Sequence, residues 1–181
     1  QTKNGQLLQI ALLGNPILRK KARAVRDIQN PEIQKLIDDL LTTVMDVNGV
    51  GLSAPQVYQS YRLFILASHP NPRYPNAPFM KPTPVINPVI LTQNEKVVKD
   101  WEGCLSIPGI RGLIPRYTNI IVSYTDREGK KVKKTFKDFI ARIFQHEYDH
   151  LEGILFTDRV ESNTDLISEK EYFKLLEKLK K

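Results

Sequence analysis

Apolar residues recur at helical spacing in a first long stretch that follows Asn30-Pro31. Asn suits the N-cap of a helix and Pro suits its first position, while Asn48-Gly49 suits its end. The apolar positions of this stretch are Ile33, Leu36, Ile37, Leu40, Leu41, Val44 and Met45. Because they follow the i, i+3, i+4, i+7 rule, they predict a helix with one buried face.

Two further helices are predicted in the second half of the chain. Residues 135–138 match a capping box that ends in Asp138, and Gly153 suits the C-terminal stop of the helix that follows. The mostly apolar face of this helix holds Phe139, Ile140, Ile143, Phe144, His146, His150 and Leu151. Residues 162–181 are predicted to form a terminal amphipathic helix.

Strand-like segments lie before and between these helices. The predicted strands are residues 6–23 (a strand followed by a turn), 62–67, 85–91, 97–101, 120–125 and 131–136. Residues 85–91 and 97–101 are expected to pair as a hairpin around Gln93-Asn94. Residues 120–125 and 131–136 are expected to pair as a hairpin around residues 126–129. Residues 69–84 contain six prolines, which predicts a stiff surface loop with His69 exposed.

Length and composition indicate an ordinary globular protein. A chain of 181 residues with 41% hydrophobic and 26% charged residues is expected to form one domain over residues 1–181. No apolar run is long enough to suggest a membrane span. Basic and acidic residues alternate despite the net charge of +7, so we expect a solvated surface with at most weak attraction to a polyanion, and no specific nucleic-acid site.

The chemistry is concentrated in Gln145–Gly153, which contains the pattern His-Glu-x-x-His. His146 and His150 stand four residues apart and would share one face of a helix, where two imidazoles can bind one metal ion. Glu147 would point to the side, within reach of a water molecule. The alternative is an exposed helix whose polar face happens to include two histidines.

Such a site needs a third ligand, and the sequence offers three candidate positions for it. The metzincin extension fails because Phe156 occupies the position of the required His. Glu169 and Glu171 would suit a thermolysin-like site, but their Lys/Glu-rich setting favours solvated helix charges. Cys104 is the remaining soft donor, and one thiolate with two imidazoles suits zinc or iron with one position open. A lone buried Cys is more often a small hydrophobe, but its position beside Glu102 at a strand end favours a ligand.

Three segments resemble motifs of peptide deformylases, in the order and with the spacing of that family. They are residues 49–56 (Gly-Val-Gly-Leu-Ser-Ala-Pro-Gln), 102–106 (Glu-Gly-Cys-Leu-Ser) and 145–153 (Gln-His-Glu-Tyr-Asp-His-Leu-Glu-Gly). The likeness covers roughly residues 10–160. It has two departures: Ser53 stands where Ala is common, and the proline-rich loop is longer than in the plainest bacterial members. The resemblance implies an α+β fold, with antiparallel β-sheets packed around a central metal-binding helix, an N-terminal helix and a C-terminal helix.

The resemblance also implies removal of the N-formyl group from formyl-methionyl nascent peptides, with release of formate. Cys104, His146 and His150 would bind Fe²⁺, for which Zn²⁺, Ni²⁺ or Co²⁺ can substitute. Glu147 would transfer protons. The Gln56 side-chain amide and the Leu105 backbone N–H would stabilise charge on the formyl oxygen.

The remaining expectations concern substrate, partners and location. Gly51 would leave room for the substrate backbone, and Arg111 would contact that backbone. Val50, Phe139 and Ile143 would line a pocket for the methionine side chain. Weak ribosome association and a bacterial cytoplasmic location are expected, with an organellar protein lacking its targeting segment as the alternative. The rival functions are a zinc peptidase that uses the same helix and a non-catalytic metal-binding or ribosome-binding module.

Overall fold

Two antiparallel sheets flank the helix that carries the histidine pair. The computed structural model describes residues 5–181, so the first four residues of the predicted domain lie outside the described residues. The helices are α1 (Pro31–Asp46), α2 (Asp138–Leu151) and α3 (Glu169–Leu179). The strands are β1 (Gly51–Ser53), β2 (Leu63–Leu66), β3 (Thr83–Gln93), β4 (Val97–Cys104), β5 (Ile107–Tyr117), β6 (Asn119–Thr125), β7 (Lys131–Lys137) and β8 (Leu166–Ser168). This arrangement confirms the predicted α+β class.

The larger sheet has the strand order β1-β2-β3-β6-β7, and the smaller one has the order β4-β5-β8. Helix α2 packs against strands of both sheets, because its apolar side chains face inward along most of its length. Ala141, Phe144 and Leu151 are fully buried among residues of the larger sheet. Helix α1 packs on β1 and β2 with the apolar face that the sequence predicts. Helix α2 therefore lies in the interior, where its polar residues are shielded from water.

The predicted hairpin of residues 85–91 and 97–101 is wrong, although both segments are strands. β3 pairs with β6, while β4 pairs with β5 in the other sheet. The chain crosses to the smaller sheet after β3 and returns after β5, and these two crossing segments bond to each other. Asn94 N–H donates to the Asn119 carbonyl and Thr118 N–H to the Lys96 carbonyl. The predicted hairpin of β6 and β7 is confirmed.

The strand predicted in residues 6–23 is also wrong. This segment runs across several elements, so its backbone groups bond to different parts of the chain and do not pair with a single strand. Ala11 N–H donates to the Gln56 carbonyl, and Leu13 N–H donates to the Ser106 carbonyl. Its regular structure is a short 3₁₀-helix, Pro16–Arg19. The prediction that His69 is exposed is also wrong, because this residue is half-buried. The distance between His69 Nε2 and Asn48 Oδ1 is 2.6 Å.

Both predicted starts of the later helices need correction. Thr135 belongs to β7 rather than to a capping box, and α2 begins at Asp138 after extended Lys137. The C-terminal helix begins at Glu169, not at 162, because Leu166–Ser168 pairs with β5 as an eighth strand and the Ser168 side chain caps the helix. Gly153 ends α2 as predicted, with φ of 73°. No helix among residues 5–181 is long and apolar enough to cross a membrane.

Candidate metal centre

Cys104, His146 and His150 meet in the interior, as the sequence predicts. One possible ligand atom from each lies within 4.8 Å of the others. β4 delivers Cys104 at its last residue, where the pairing with β5 shifts register after Glu102. Helix α2 supplies the two histidines from one face, and Cys104 Sγ lies 3.4 Å from His150 Nε2. A thiol and two imidazoles on rigid elements form a donor set suited to a transition metal.

The orientation of His146 supports this fit. Its Nδ1 lies 2.8 Å from Glu102 Oε1, so the carboxylate accepts a hydrogen bond from Nδ1–H and leaves Nε2 free to bind a metal. Carboxylate–histidine pairs of this kind orient metal ligands in known sites. Phe156, at the position of the missing metzincin histidine, is buried with its ring stacked on His146 at a centroid distance of 6.1 Å. The position that would supply the third ligand in a metzincin therefore holds an apolar ring packed against His146.

A network of charged side chains, which the sequence pattern does not predict, holds Glu102 in place. Arg116 donates two hydrogen bonds to Glu102, each of 2.9 Å, and Arg142 donates one of 2.8 Å. Burial raises the pKa of Glu102, but Arg116 and His146 outweigh it and keep that pKa well below its ordinary value. Arg116 also bonds to Asp149. The available signal was Arg142, a charged residue on the apolar face of α2, four positions before His146.

Glu147 lies beside the cluster and is almost fully buried, with 3% exposure. Among residues 5–181, its Oε2 and His150 Nδ1 are the buried side-chain atoms that lack a hydrogen-bond partner. Burial raises the pKa of Glu147 to about 7, against the lowering influence of His146. An unpartnered carboxylate oxygen in this position has the geometry of a group that can exchange protons with a bound molecule.

Gly51 makes the position of Glu147 possible. A Cβ added at Gly51 would lie 2.8 Å from Glu147 Oε1 and 3.0 Å from Ile143 Cγ2. The absence of a side chain therefore makes room for the carboxylate itself. The clearance for a substrate backbone, which the sequence led us to expect at Gly51, stays a prediction.

The Gln56 amide is held in one orientation by two serines. Its Oε1 accepts hydrogen bonds from Ser53 N–H (3.0 Å) and Ser53 Oγ (2.9 Å). Its Nε2 donates to Ser106 Oγ over 3.1 Å and faces Cys104 Sγ at 3.5 Å. Ser53, noted in the sequence only as a departure, thus directs the N–H donors of Gln56 toward the candidate metal ligands.

A pocket opens next to these groups, and every predicted site residue except His150 lines it. Val50, Phe139 and Ile143 form an apolar part of the wall, and Leu105 adjoins Cys104. Arg111 is buried, and its guanidinium donates to Tyr74 Oη and Glu169 Oε1, each over 2.9 Å. Glu169 is therefore part of the pocket wall, and the interpretation of it as a solvated helix charge is wrong.

Comparison with known proteins agrees with this geometry. The family model for polypeptide deformylase matches residues 7–165. Peptide deformylase 2 of Nostoc sp. is 60% identical over 175 residues, which cover 97% of this chain and 98% of that protein. A Met-Ala-Ser-bound class I type b peptide deformylase from Acinetobacter baumannii superposes with a TM-score of 0.84 at 42% identity, covering 87% of this chain and 100% of that one. The chain belongs to the polypeptide deformylase family.

Proposed function

We propose that Cys104, His146 and His150 form the metal centre at which this enzyme removes the formyl group from N-formyl-methionyl peptides. Metal-dependent removal of the N-formyl group from nascent peptides is the function of the family to which the chain belongs. The observation that carries the proposal is the convergence of the three donors beside the unpartnered Oε2 of buried Glu147. A divalent ion bound there would act as a Lewis acid, making water more acidic and polarising the formyl carbonyl.

Proton transfer is assigned to Glu147. Its Oε2 takes the proton of the attacking water and later delivers it to the leaving amine of methionine. The buried position excludes bulk water, so the same proton stays available for both steps. Hydrolysis then yields formate and a free amino terminus.

Charge that develops on the formyl oxygen is stabilised by fixed donors. The Gln56 Nε2–H group, which Ser53 directs toward Cys104, is one of them, and the Leu105 backbone N–H is the other. Removal of one such donor typically lowers turnover by about 10²–10³-fold. Val50, Phe139 and Ile143 bind the methionine side chain, since they form the apolar wall of the pocket.

The metal is proposed to be Fe²⁺, with Zn²⁺, Ni²⁺ or Co²⁺ as substitutes. The mixed thiolate and imidazole donors support this set but do not select among its members. We further propose that residues 1–181 form one catalytic domain that acts in the bacterial cytoplasm. Its net charge of +7 would give weak attraction to the ribosome, a polyanion.

Formate release from formyl-Met-Ala-Ser by protein purified without oxygen tests the activity. The wild type should release formate and should leave acetyl-Met-Ala-Ser and internal peptide bonds intact; cleavage of an internal bond would favour the zinc peptidase alternative. Glu147→Gln should keep its metal but lose activity. Glu152→Gln is the control, because Glu152 lies at the end of α2 and pairs with Arg62.

A further inference from the structure

Arg111 is fixed more firmly than a flexible substrate-binding arginine would be. Its guanidinium packs on the backbone of Gly103, where an added Cβ would lie 2.3 Å from Nη1. Tyr74 Oη accepts a hydrogen bond from Nη1, and the ring of Tyr172 lies 5.4 Å from the guanidinium carbon. Glu169, at the first turn of α3, completes the set as its carboxylate partner.

The other charged groups of the pocket wall have different partners. Glu102 and Arg142 pair with each other in the buried network, and Glu147 lies at the metal-ligand end. Arg73 donates to the backbone carbonyls of Val47 and Asn48, and it forms no direct ion pair with a carboxylate among residues 5–181. In the part of the pocket that is distant from the metal ligands, Glu169 is therefore the carboxylate that offsets the positive charge of the wall.

The peptide beyond the methionine is assigned to the part of the pocket that Arg111 and Glu169 line. The formyl group is assigned to the metal-ligand end, and the methionine side chain to the apolar wall of Val50, Phe139 and Ile143. The rest of the lining includes the charged and polar residues Arg73, Tyr74, Arg111 and Glu169, together with residues 107–110. The Glu169 side chain is 34% exposed, whereas that of Arg111 is 7% exposed. A residue that follows methionine thus meets a wall whose charge depends on Glu169.

We infer that Glu169 is a specificity-determining residue, which offsets Arg111 and Arg73 and so prevents a preference for acidic residues after the methionine. The inference rests on the proposed function and extends it to the second residue of the substrate. Glu169 acts on the peptide through the net charge of the wall and through Arg111, and it is a positioning residue rather than a catalytic one.

A structural role for Glu169 must be separated from this one. An acidic residue in the first turn stabilises any helix, and Glu171 occupies the same turn of α3. Glu171 is exposed, pairs with Lys174 and does not line the pocket. Glu171→Gln therefore removes the same charge from the same helix end without changing the pocket wall, and it is the matched control.

The experiment compares kcat/KM for formyl-Met-Asp-Ser and formyl-Met-Lys-Ser in the metal-loaded wild type, Glu169→Gln, Glu169→Asp and Glu171→Gln. For an assumed separation of about 8 Å between Glu169 and the second residue, loss of one charge in Glu169→Gln should raise the Asp/Lys ratio about fivefold in low salt. The increase should shrink at high salt, because exposed charges are screened. Glu169→Asp and Glu171→Gln should keep a ratio near that of the wild type.

Two results would overturn the inference. One is an active Glu169→Gln enzyme with an unchanged ratio; the other is a Glu169→Asp enzyme whose ratio shifts as much as that of Glu169→Gln, since the charge is then not the cause. Either result leaves the proposed function intact. Failure of the wild type to release formate from both peptides would instead refute the proposed function.

Discussion

The Ser53 hydroxyl donates a hydrogen bond of 2.9 Å to Gln56 Oε1, and this bond fixes which way the Gln56 amide faces. The opposite end of the amide, Nε2, then points toward Cys104 and the proposed position of the formyl oxygen. Ser53 thus supports a group proposed to act in catalysis.

Replacing Ser53 by alanine should lower kcat while leaving KM nearly unchanged. The Ser53 backbone N–H still holds Oε1, so the loss is that of one hydrogen bond, about two- to tenfold in rate. Steady-state kinetics with formyl-Met-Ala-Ser measure it. Ser68→Ala is the control, because Ser68 is equally buried and donates instead to the Pro78 carbonyl. A Ser53→Ala enzyme with the kcat of the wild type would show that Ser53 does not position Gln56.

Gly51→Ala should separate metal binding from catalysis. The new Cβ would lie 2.8 Å from Glu147 Oε1, so the carboxylate must move, while the three proposed metal ligands are not contacted by the new methyl group. A misplacement of about 1 Å costs about 100-fold in rate. We expect normal metal content with that loss of kcat. Gly129→Ala, in the β6–β7 turn, strains the backbone at φ of 90° without affecting the site and should keep its kcat.

Glu102→Gln should weaken metal retention. The amide accepts from His146 Nδ1 less strongly than the carboxylate does, and loss of such a partner costs about 10–100-fold in metal affinity. Competition with a chelator measures the affinity. Glu152→Gln, which changes a carboxylate at the end of α2, should bind metal as the wild type does. Equal affinity in Glu102→Gln would mean that the network serves stability alone.

Arg116→Met should destabilise the metal-free protein strongly. Glu102 and Asp149 are buried and both bond to Arg116, so the change leaves buried negative charge with less compensation. Loss of one partner of a buried ion pair costs about 3–5 kcal/mol in the free energy of unfolding. Arg159 is the other partner of Asp149, and the side chain of Arg159 is 45% exposed. Arg159→Met should therefore lower the free energy of unfolding by only about 0–1 kcal/mol. Urea denaturation of the two variants measures these free energies of unfolding. Similar decreases in Arg116→Met and Arg159→Met would contradict a buried ion pair centred on Arg116.

The ion pair of Arg19 and Asp158 should add a pH dependence to stability. Burial raises the pKa of Asp158, but hydrogen bonds from Arg19 and the Leu155 N–H outweigh it, so this pKa is lowered in the folded state. The stabilisation is therefore present above the pKa of the unfolded chain, about 3.9, and is lost as the pH falls through the folded-state pKa.

The measurement compares urea unfolding of the wild type and Asp158→Asn. Their difference in unfolding free energy should be constant near neutral pH and should shrink below about pH 4. Arg19→Gln should reduce the pH dependence of stability without abolishing it, because the hydrogen bond from the Leu155 N–H still lowers the pKa of Asp158. A difference that stays constant down to pH 3 would exclude the pair as its source.

The sequence by itself determined the features that depend on neighbours along the chain. Helical spacing placed α1 and the histidine face of α2, and Asp126–Gly129 marked the β6–β7 hairpin. The motif order identified Cys104, His146 and His150 as candidate ligands. These inferences succeed because backbone period, turn chemistry and ligand type are local properties.

Only the tertiary structure decided which distant groups meet. The crossing of residues 94–96 over 118–119 sends β3 and β4 into different sheets, and no local pattern distinguishes that from a hairpin. Likewise, Arg116, Asp149 and Glu169 resemble surface charges in the sequence. In the fold, Arg116 pairs with both Glu102 and Asp149, and Glu169 pairs with Arg111. A charge removed from water requires such a partner, and only the fold can supply it.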